Sequence, residues 1–336
     1  MSRQLLKSLS GIEMNASLST ELRLRLYYHM RLTRDCESAI LRLYRQGKII
    51  GGAYTGTGNE ATAVGSAAAL EQPDYLFPMH RDMGAHLVKG QSLKNIFLQQ
   101  LGRADSLTRG RDGTGHYADP SLRIYGNVSH LAAMIPMAAG VALASKLRRE
   151  GAVVMTYIGD GGSNVGEFHE GMNFAAVMKL PLVLIIENNQ FAYSTPLSRQ
   201  CAAARLSDRA IGYGIPGHTI DGTDVELVYR TVAAAVERAR GGGGPTLIES
   251  VTMRMQGHSA SDDASYVPAA LLEEWKHKDP VERYETLLLK ECVLTPELKE
   301  KFKQEIGTKI EEAVRFAESN PLPGGSEAME GVYAGR

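Results

Sequence analysis

Two short apolar runs, each ending on a polar turn and separated by one helix length, constrain this chain more than any other feature. The first, AVVMTYI (152–158), is rich in β-branched residues and reads as a buried strand. GDGG follows, in which Gly159, Gly161 and Gly162 let the backbone turn sharply and approach a ligand closely. Residues 167–178 suit a helix. PLVLII (181–186) is a second buried strand, ended by Glu187, and Asn188 and Asn189 come directly after it. Strand, helix and strand in this order form a parallel crossover unit. Ligands bind such sheets beyond the carboxyl ends of the strands. Asp160 and Asn189 both fall just past a strand end, 29 positions apart, so both can meet one ligand. A carboxylate and an amide oxygen are hard donors suited to magnesium, which completes its octahedron with phosphate oxygens and water. A dinucleotide fingerprint starting at Gly159 would need glycine where Asn164 stands, and no Gly-Lys-Ser/Thr phosphate loop occurs.

The expected class is therefore α/β, with a mostly parallel sheet, helices on both faces, and helical N- and C-terminal segments. Residues 1–50 form the N-terminal helical segment, 51–265 the ligand-binding α/β domain, and 266–336 the C-terminal helices and tail. With 336 residues the chain can bury a large core. A net charge of −1 gives no sign of nucleic-acid or anionic-membrane binding. The longest apolar stretch, residues 131–144, is broken by Pro136 and Gly140 and is shorter than the ~20 residues that span a bilayer. Three scattered cysteines, Cys36, Cys201 and Cys292, suit reduced thiols in a cytoplasm. The N-terminus lacks the apolar core of a signal peptide.

Elsewhere, residues 19–46 carry a helical pattern, and a glycine-rich turn region (47–61) leads into a small-residue helix. Residues 102–127 show little apolar periodicity and read as a long ordered loop near a site. Pro136 can start a helix that runs to about Arg149. HTIDGTD (218–224) reads as a turn, with Asp224 capping a helix to Arg240. TLIESVTMR (246–254) reads as a strand, and the chain beyond Pro268 as charged helices.

Four blocks carry a family resemblance: GNEATAVGSAAAL, FPMHRDMGAHL, GDGGSN…ENNQFAYSTP and RMQGHSASDDASY. Together they resemble the alpha subunits of thiamin-diphosphate-dependent 2-oxoacid dehydrogenases: branched-chain, pyruvate and acetoin. The likeness spans roughly residues 20–320. It implies the thiamin-diphosphate-binding fold. It also implies that Asp160, Asn189 and the carbonyl of Phe191 bind Mg2+, with Gly159, Gly161 and Gly162 around the diphosphate. Arg81 falls on the family's diphosphate arginine, and a guanidinium suits phosphate by its bidentate geometry. The residue before it, usually tyrosine, is His80 here, which can still donate to phosphate. Ser129 and Leu131 match the loop that props the cofactor in its bent shape. Ala133 and Met134 replace the groups that hold a monovalent cation in branched-chain relatives, so that site is not expected.

His258 matches the active-site histidine, and a side chain that titrates near neutral pH suits charge stabilisation and acyl transfer. Ser259, Ser261 and Ser265 occupy a segment that mitochondrial relatives phosphorylate. Here they are read as loop hydrogen-bonders. His116 either borders the site or is packed in its loop. The implied activity is oxidative decarboxylation of a 2-oxo acid, branched-chain favoured over pyruvate and acetoin, with acyl transfer to a lipoyl-bearing acyltransferase. The implied assembly is α2β2 with a beta subunit, without which this chain is inactive. Two readings from other classes stand beside it. A magnesium phosphohydrolase using Asp160 would act alone and without thiamin. A non-catalytic assembly subunit would keep its activity after loss of Asp160, Asn189 and His258.

Overall fold

The computed structural model describes residues 18–113, 115–126 and 128–330. Most of the N-terminal stretch read for a signal peptide, the last six residues of the tail, and Thr114 and Asn127 of the long loop lie outside them.

The chain starts with the helix α1 (Thr20–Arg45), capped by Ser19 Oγ accepting from Leu22 N at 3.2 Å and stopped where Gly47 turns left-handed at φ +71°. Next come α2 (Glu60–Ala67), β1 (Tyr75–Phe77), α3 (Met83–Val88) and α4 (Leu93–Gln100). The long loop carries β2 (Ala118–Asp119) and β3 (Ile124–Tyr125), followed by α5 (Met134–Arg148). β4 (Val154–Gly159), α6 (Gly166–Val177) and β5 (Leu182–Asn188) form the expected crossover unit. A small hairpin, β6 (Phe191–Ala192) and β7 (Thr195–Pro196), precedes α7 (Arg209–Tyr213), β8 (Gly217–Asp221), α8 (Val225–Arg240) and β9 (Thr246–Val251). The chain closes with α9 (Ala269–Lys276), α10 (Pro280–Lys290) and α11 (Pro296–Ser319).

The strands order as β2-β3-β1-β4-β5-β9-β8 in a sheet that is parallel except where β2 pairs with β3. Its interior residues are fully buried, as continuous apolar runs in a parallel sheet must be. Helices cover both faces: α5 lies on β4 with α6 beside it, and α8 lies on β5, β9 and β8 with α2 beside it. α1 packs against α10 and α11, so the two ends of the chain meet in one helical layer.

Local expectations hold where a side chain dictates them. Asp224 caps α8, accepting from Glu226 N at 3.1 Å and Leu227 N at 3.0 Å. α5 begins two residues before Pro136, which sits in the first turn where its missing N–H costs nothing. HTIDGTD is not all turn: residues 218–221 belong to β8, the sheet edge, paired to β9. Of the β8 residues only Ile220 is buried, and one buried residue is too weak a periodic signal to mark a strand. No described helix is long and apolar enough to cross a membrane.

Leu184 is central in β5 and fully buried. Leu184→Ala should cost about 2–5 kcal/mol of stability. A change at exposed Lys303 of α11 should stay within about 0.5 kcal/mol. Urea unfolding followed by circular dichroism measures both, and equal effects would refute this account of the core.

Candidate active site

β4 and β5 run in register, with Gly159 opposite Glu187, so the residues after them leave the sheet side by side. Asp160 N donates to Glu187 O at 3.3 Å. The Asp160 carboxyl lines a cavity of about 320 Å³, although only 1% of the residue is exposed. Burial raises its pKa above the ordinary value, and a hydrogen bond from Gln200 Nε2 at 2.8 Å works against that. Asn189 turns its Oδ1 to Phe191 N at 3.4 Å, and Gln190 between them is left-handed at φ +71°.

The glycines act by lacking a side chain. Gly161 sits at φ −61°, so no left-handed turn is used. A Cβ on Gly161 would come within 2.5 Å of Ala192 Cβ, and one on Gly162 within 2.6 Å of Ile158 Cδ1. Glycine at 161 is therefore needed for the motif to close against Ala192 of the hairpin, whereas a side chain at 162 would push the end of Ile158 aside.

Met79, His80 and Arg81 form a second wall. Arg81 is buried and donates to two carbonyls, Thr55 O at 3.0 Å and His258 O at 2.6 Å. Arg254, also buried, donates to Phe191 O at 3.2 Å and Tyr193 O at 2.8 Å. Among the described residues neither guanidinium has a carboxylate in an ion pair. Burial, then the nearby Arg254, pushes Arg81 down to about 10. Burial and the adjacent Asp82 hold the Glu187 carboxyl well above its ordinary range, so Glu187 itself adds little negative charge to the cavity wall. Two cations thus face one carboxylate across the cavity, which favours an anionic ligand. Burial and Arg81 also hold His80 well below its ordinary value. Its Nε2 is sealed from solvent without a partner, and its ring sits 4.9 Å from that of Tyr54.

His258 enters from the loop after β9. Its ring stands 4.5 Å from Tyr193 and 5.8 Å from Tyr54, and its Nδ1 is 3.4 Å from Arg81 Nη2. A guanidinium can only donate, so Nδ1 accepts and the ring proton belongs on Nε2. The near-neutral titration expected from sequence does not hold here: burial, then Arg81 and Arg254, lower the pKa to about 4. Arg254 opens the block that carries His258, whereas Arg81 is not visible as a neighbour from that block.

Leu131 reaches the cavity, with 43% of its surface exposed. Ser129 does not line it. Its Oγ lies 2.8 Å from His116 Nε2, and both line a neighbouring hollow with Thr108 and Tyr117. Ser259 and Ser261 bond each other at 3.0 Å, in keeping with loop hydrogen bonding. Sequence reading did not single out Gln200, Arg254, Glu187 or Met79 for the site. Arg254 stood in the same block as His258, whereas Gln200 carried no signal. The groups available to a divalent ion are oxygens: the Asp160 carboxylate, Asn189 Oδ1 and Phe191 O. Among the described residues no group of three His, Cys, Asp or Glu side chains could form an alternative metal cage.

Comparison with known proteins agrees with this architecture. Residues 28–325 match the family described as the dehydrogenase E1 component. The 2-oxoisovalerate dehydrogenase subunit alpha of Bacillus subtilis is 39% identical over 92% of this chain and 94% of the relative. The alpha subunit of acetoin:2,6-dichlorophenolindophenol oxidoreductase of the same organism is 36% identical over 94% and 95%. The pyruvate dehydrogenase E1 component subunit alpha of Rhizobium meliloti is 34% identical over 93% and 90%.

The folded His258 releases its proton near pH 4 and an unfolded histidine near 6.5, so between these values the unfolded chain binds more protons. Its contribution to stability is complete above about pH 6.5 and falls as pH drops towards 4. Histidine side-chain NMR should find His258 neutral, with the proton on Nε2, at about pH 5.5. A midpoint near 6.5 would contradict the assigned environment.

Proposed function

The chain belongs to the dehydrogenase E1 component family, the thiamin-diphosphate-dependent alpha subunits of 2-oxoacid dehydrogenases, and on that premise we propose a specific role for it. It decarboxylates a 2-oxo acid, branched-chain by preference, in the cytoplasm as part of an α2β2 assembly, and passes the acyl group to a lipoyl-bearing acyltransferase. The observation that carries this reading is the pair of strand ends holding Asp160 and Asn189 together, opposite two buried guanidiniums that lack carboxylate partners.

Asp160, Asn189 Oδ1 and the Phe191 carbonyl would hold Mg2+. One carboxylate with two neutral oxygens suits an ion that takes its remaining ligands from phosphate and water. Arg81 and Arg254 add positive charge towards a diphosphate, and the orphaned His80 Nε2 offers it a polar contact. Gly161 and Gly162 keep the backbone free of side chains beside it. When bound, thiamin diphosphate supplies a nucleophilic carbon and an electron sink for loss of carbon dioxide. His258 would present its Nε2–H to an oxygen of the substrate and stay uncharged while doing so. Bringing an anion close would raise its proton affinity, which lets it assist acyl transfer. Leu131, Met79, Phe191 and Tyr193 give an apolar wall for a branched side chain.

The beta partner is supported by apolar surface on α5 and α6. Leu147 is 74% exposed and Val177 72%, with Met137, Phe174 and Met178 also exposed. Three unpaired thiols support a reducing compartment. Branched-chain preference rests on the YSTP and GHSASDD blocks. The pyruvate and acetoin relatives, at similar identity, make those the competing donors.

The deciding assay is 2-oxo-acid-dependent reduction of an artificial electron acceptor by the chain with its copurifying subunit. It compares 3-methyl-2-oxobutanoate, pyruvate and acetoin, with and without thiamin diphosphate and Mg2+. Turnover should need both cofactors and favour the branched acid. Asp160→Ala should lower it at least about a hundredfold through loss of the metal, and near-normal cofactor binding in that variant would sink the metal role. His258→Ala should spare cofactor binding yet slow lipoyl acylation about 10²–10⁴-fold. Unchanged acylation would refute its assignment.

A further inference from the structure

Gln200 ends a short helical turn after β7, and its side chain reaches back to the metal-binding motif. Nε2 donates to Asp160 Oδ2 at 2.8 Å and to Thr195 O, also at 2.8 Å. Both partners can only accept, so the amide cannot be turned over, and its orientation is fixed by chemistry. That orientation leaves Oε1 buried with no hydrogen-bond donor. It lies 3.7 Å from where a Cβ on Gly161 would be, close against the motif backbone. An unpaired buried carbonyl oxygen lowers stability, so an apolar side chain of similar length would fill this position at less cost. The two donor bonds are what the position gains from a glutamine.

Those bonds join the two segments that supply the candidate metal oxygens. Asp160 comes from the end of β4, whereas Phe191 O comes from the β6–β7 hairpin, of which Thr195 is the return strand. Gln200 crosses between them. From this geometry, and resting on the metal reading above, we propose that Gln200 is a positioning residue for the magnesium site, holding the Asp160 carboxylate at a fixed distance from the hairpin carbonyl. Side chains that hold a metal ligand by hydrogen bonds commonly change metal affinity about 10–100-fold when removed. Gln200 does this without touching the ion.

The test is thiamin diphosphate binding, measured by calorimetry at stepped Mg2+ concentrations on the chain with its copurifying subunit. Wild type is compared with Gln200→Met, which keeps length and loses both donors. The Mg2+ concentration for half-maximal binding should rise about 10–100-fold, and excess Mg2+ should restore the full amount of bound cofactor. A half-maximal concentration within twofold of wild type would overturn the proposal. So would binding that excess Mg2+ cannot restore, because that marks general damage to the fold. A wild-type chain that binds the cofactor with no dependence on Mg2+ would instead defeat the metal reading on which the proposal rests.

Discussion

The site depends on β4 and β5 being parallel neighbours that end at the same level. Six positions pair between them, from Val154 with Leu182 to Gly159 with Glu187. Nearly every side chain in both strands is buried, so register is fixed by packing on two faces. A slip of one residue would turn Tyr157 and Ile185 to the wrong sides and would separate Asp160 from Asn189. β9 adds a third strand end. Thr252 N donates to Asn188 O at 2.9 Å, which starts the segment that delivers Arg254 and then His258. A stable core therefore sets the chemistry, since the cavity lies where the apolar runs stop and polar residues can begin.

The arginines of this protein divide by what they bond. Arg34 meets Glu60 and Asp279 at 2.5 and 2.9 Å, and Arg240 meets Asp74 at 2.8 Å. Those pairs fasten helices and cancel their own charge. Arg81 and Arg254 are more deeply buried, yet their bonds go to carbonyls and a tyrosine hydroxyl, which orient a guanidinium and leave its charge in place. Keeping two such charges in low dielectric is unfavourable in the free protein. Burial, and after it the neighbouring guanidiniums, lower both Arg81 and His258 from their ordinary values. An anion held between the two guanidiniums would relieve that penalty, so the same field that costs stability favours a negatively charged ligand.

What the sequence disclosed follows from range. The apolar runs of β4 and β5, the Asp224 cap and the pairing of Asp160 with Asn189 depend on residues close in the chain or on one crossover unit. They could be read directly. β8 escaped because an edge strand with one buried residue has no clear period. The close packing of Gly161 against Ala192 and of Gly162 against Ile158 joins residues that no local pattern links, so it could not be read from the motif. Gln200 lies 40 residues from Asp160, and Arg81 lies 177 from His258. No local pattern reports such contacts, and the tuning of His258 depends on them.

The helical layer is part of this arrangement too. Glu37 of α1 is buried and accepts from Gly56 N at 2.7 Å, which fixes the turn whose Thr55 carbonyl orients Arg81. A Cβ on Gly56 would lie 2.1 Å from Arg81 O, so that turn and the arginine segment are in direct contact. Burial, together with the nearby Glu60, raises Glu37 to about 8, so near neutral pH it is largely uncharged. It can thus brace the turn without neutralising Arg81. A fully ionised carboxylate in its place would weaken the field that an anionic ligand meets. α1 in turn is held by α10 and α11 from the far end of the chain. The terminal helices therefore keep a cation both placed and unpaired at the ends of strands to which they contribute no residue.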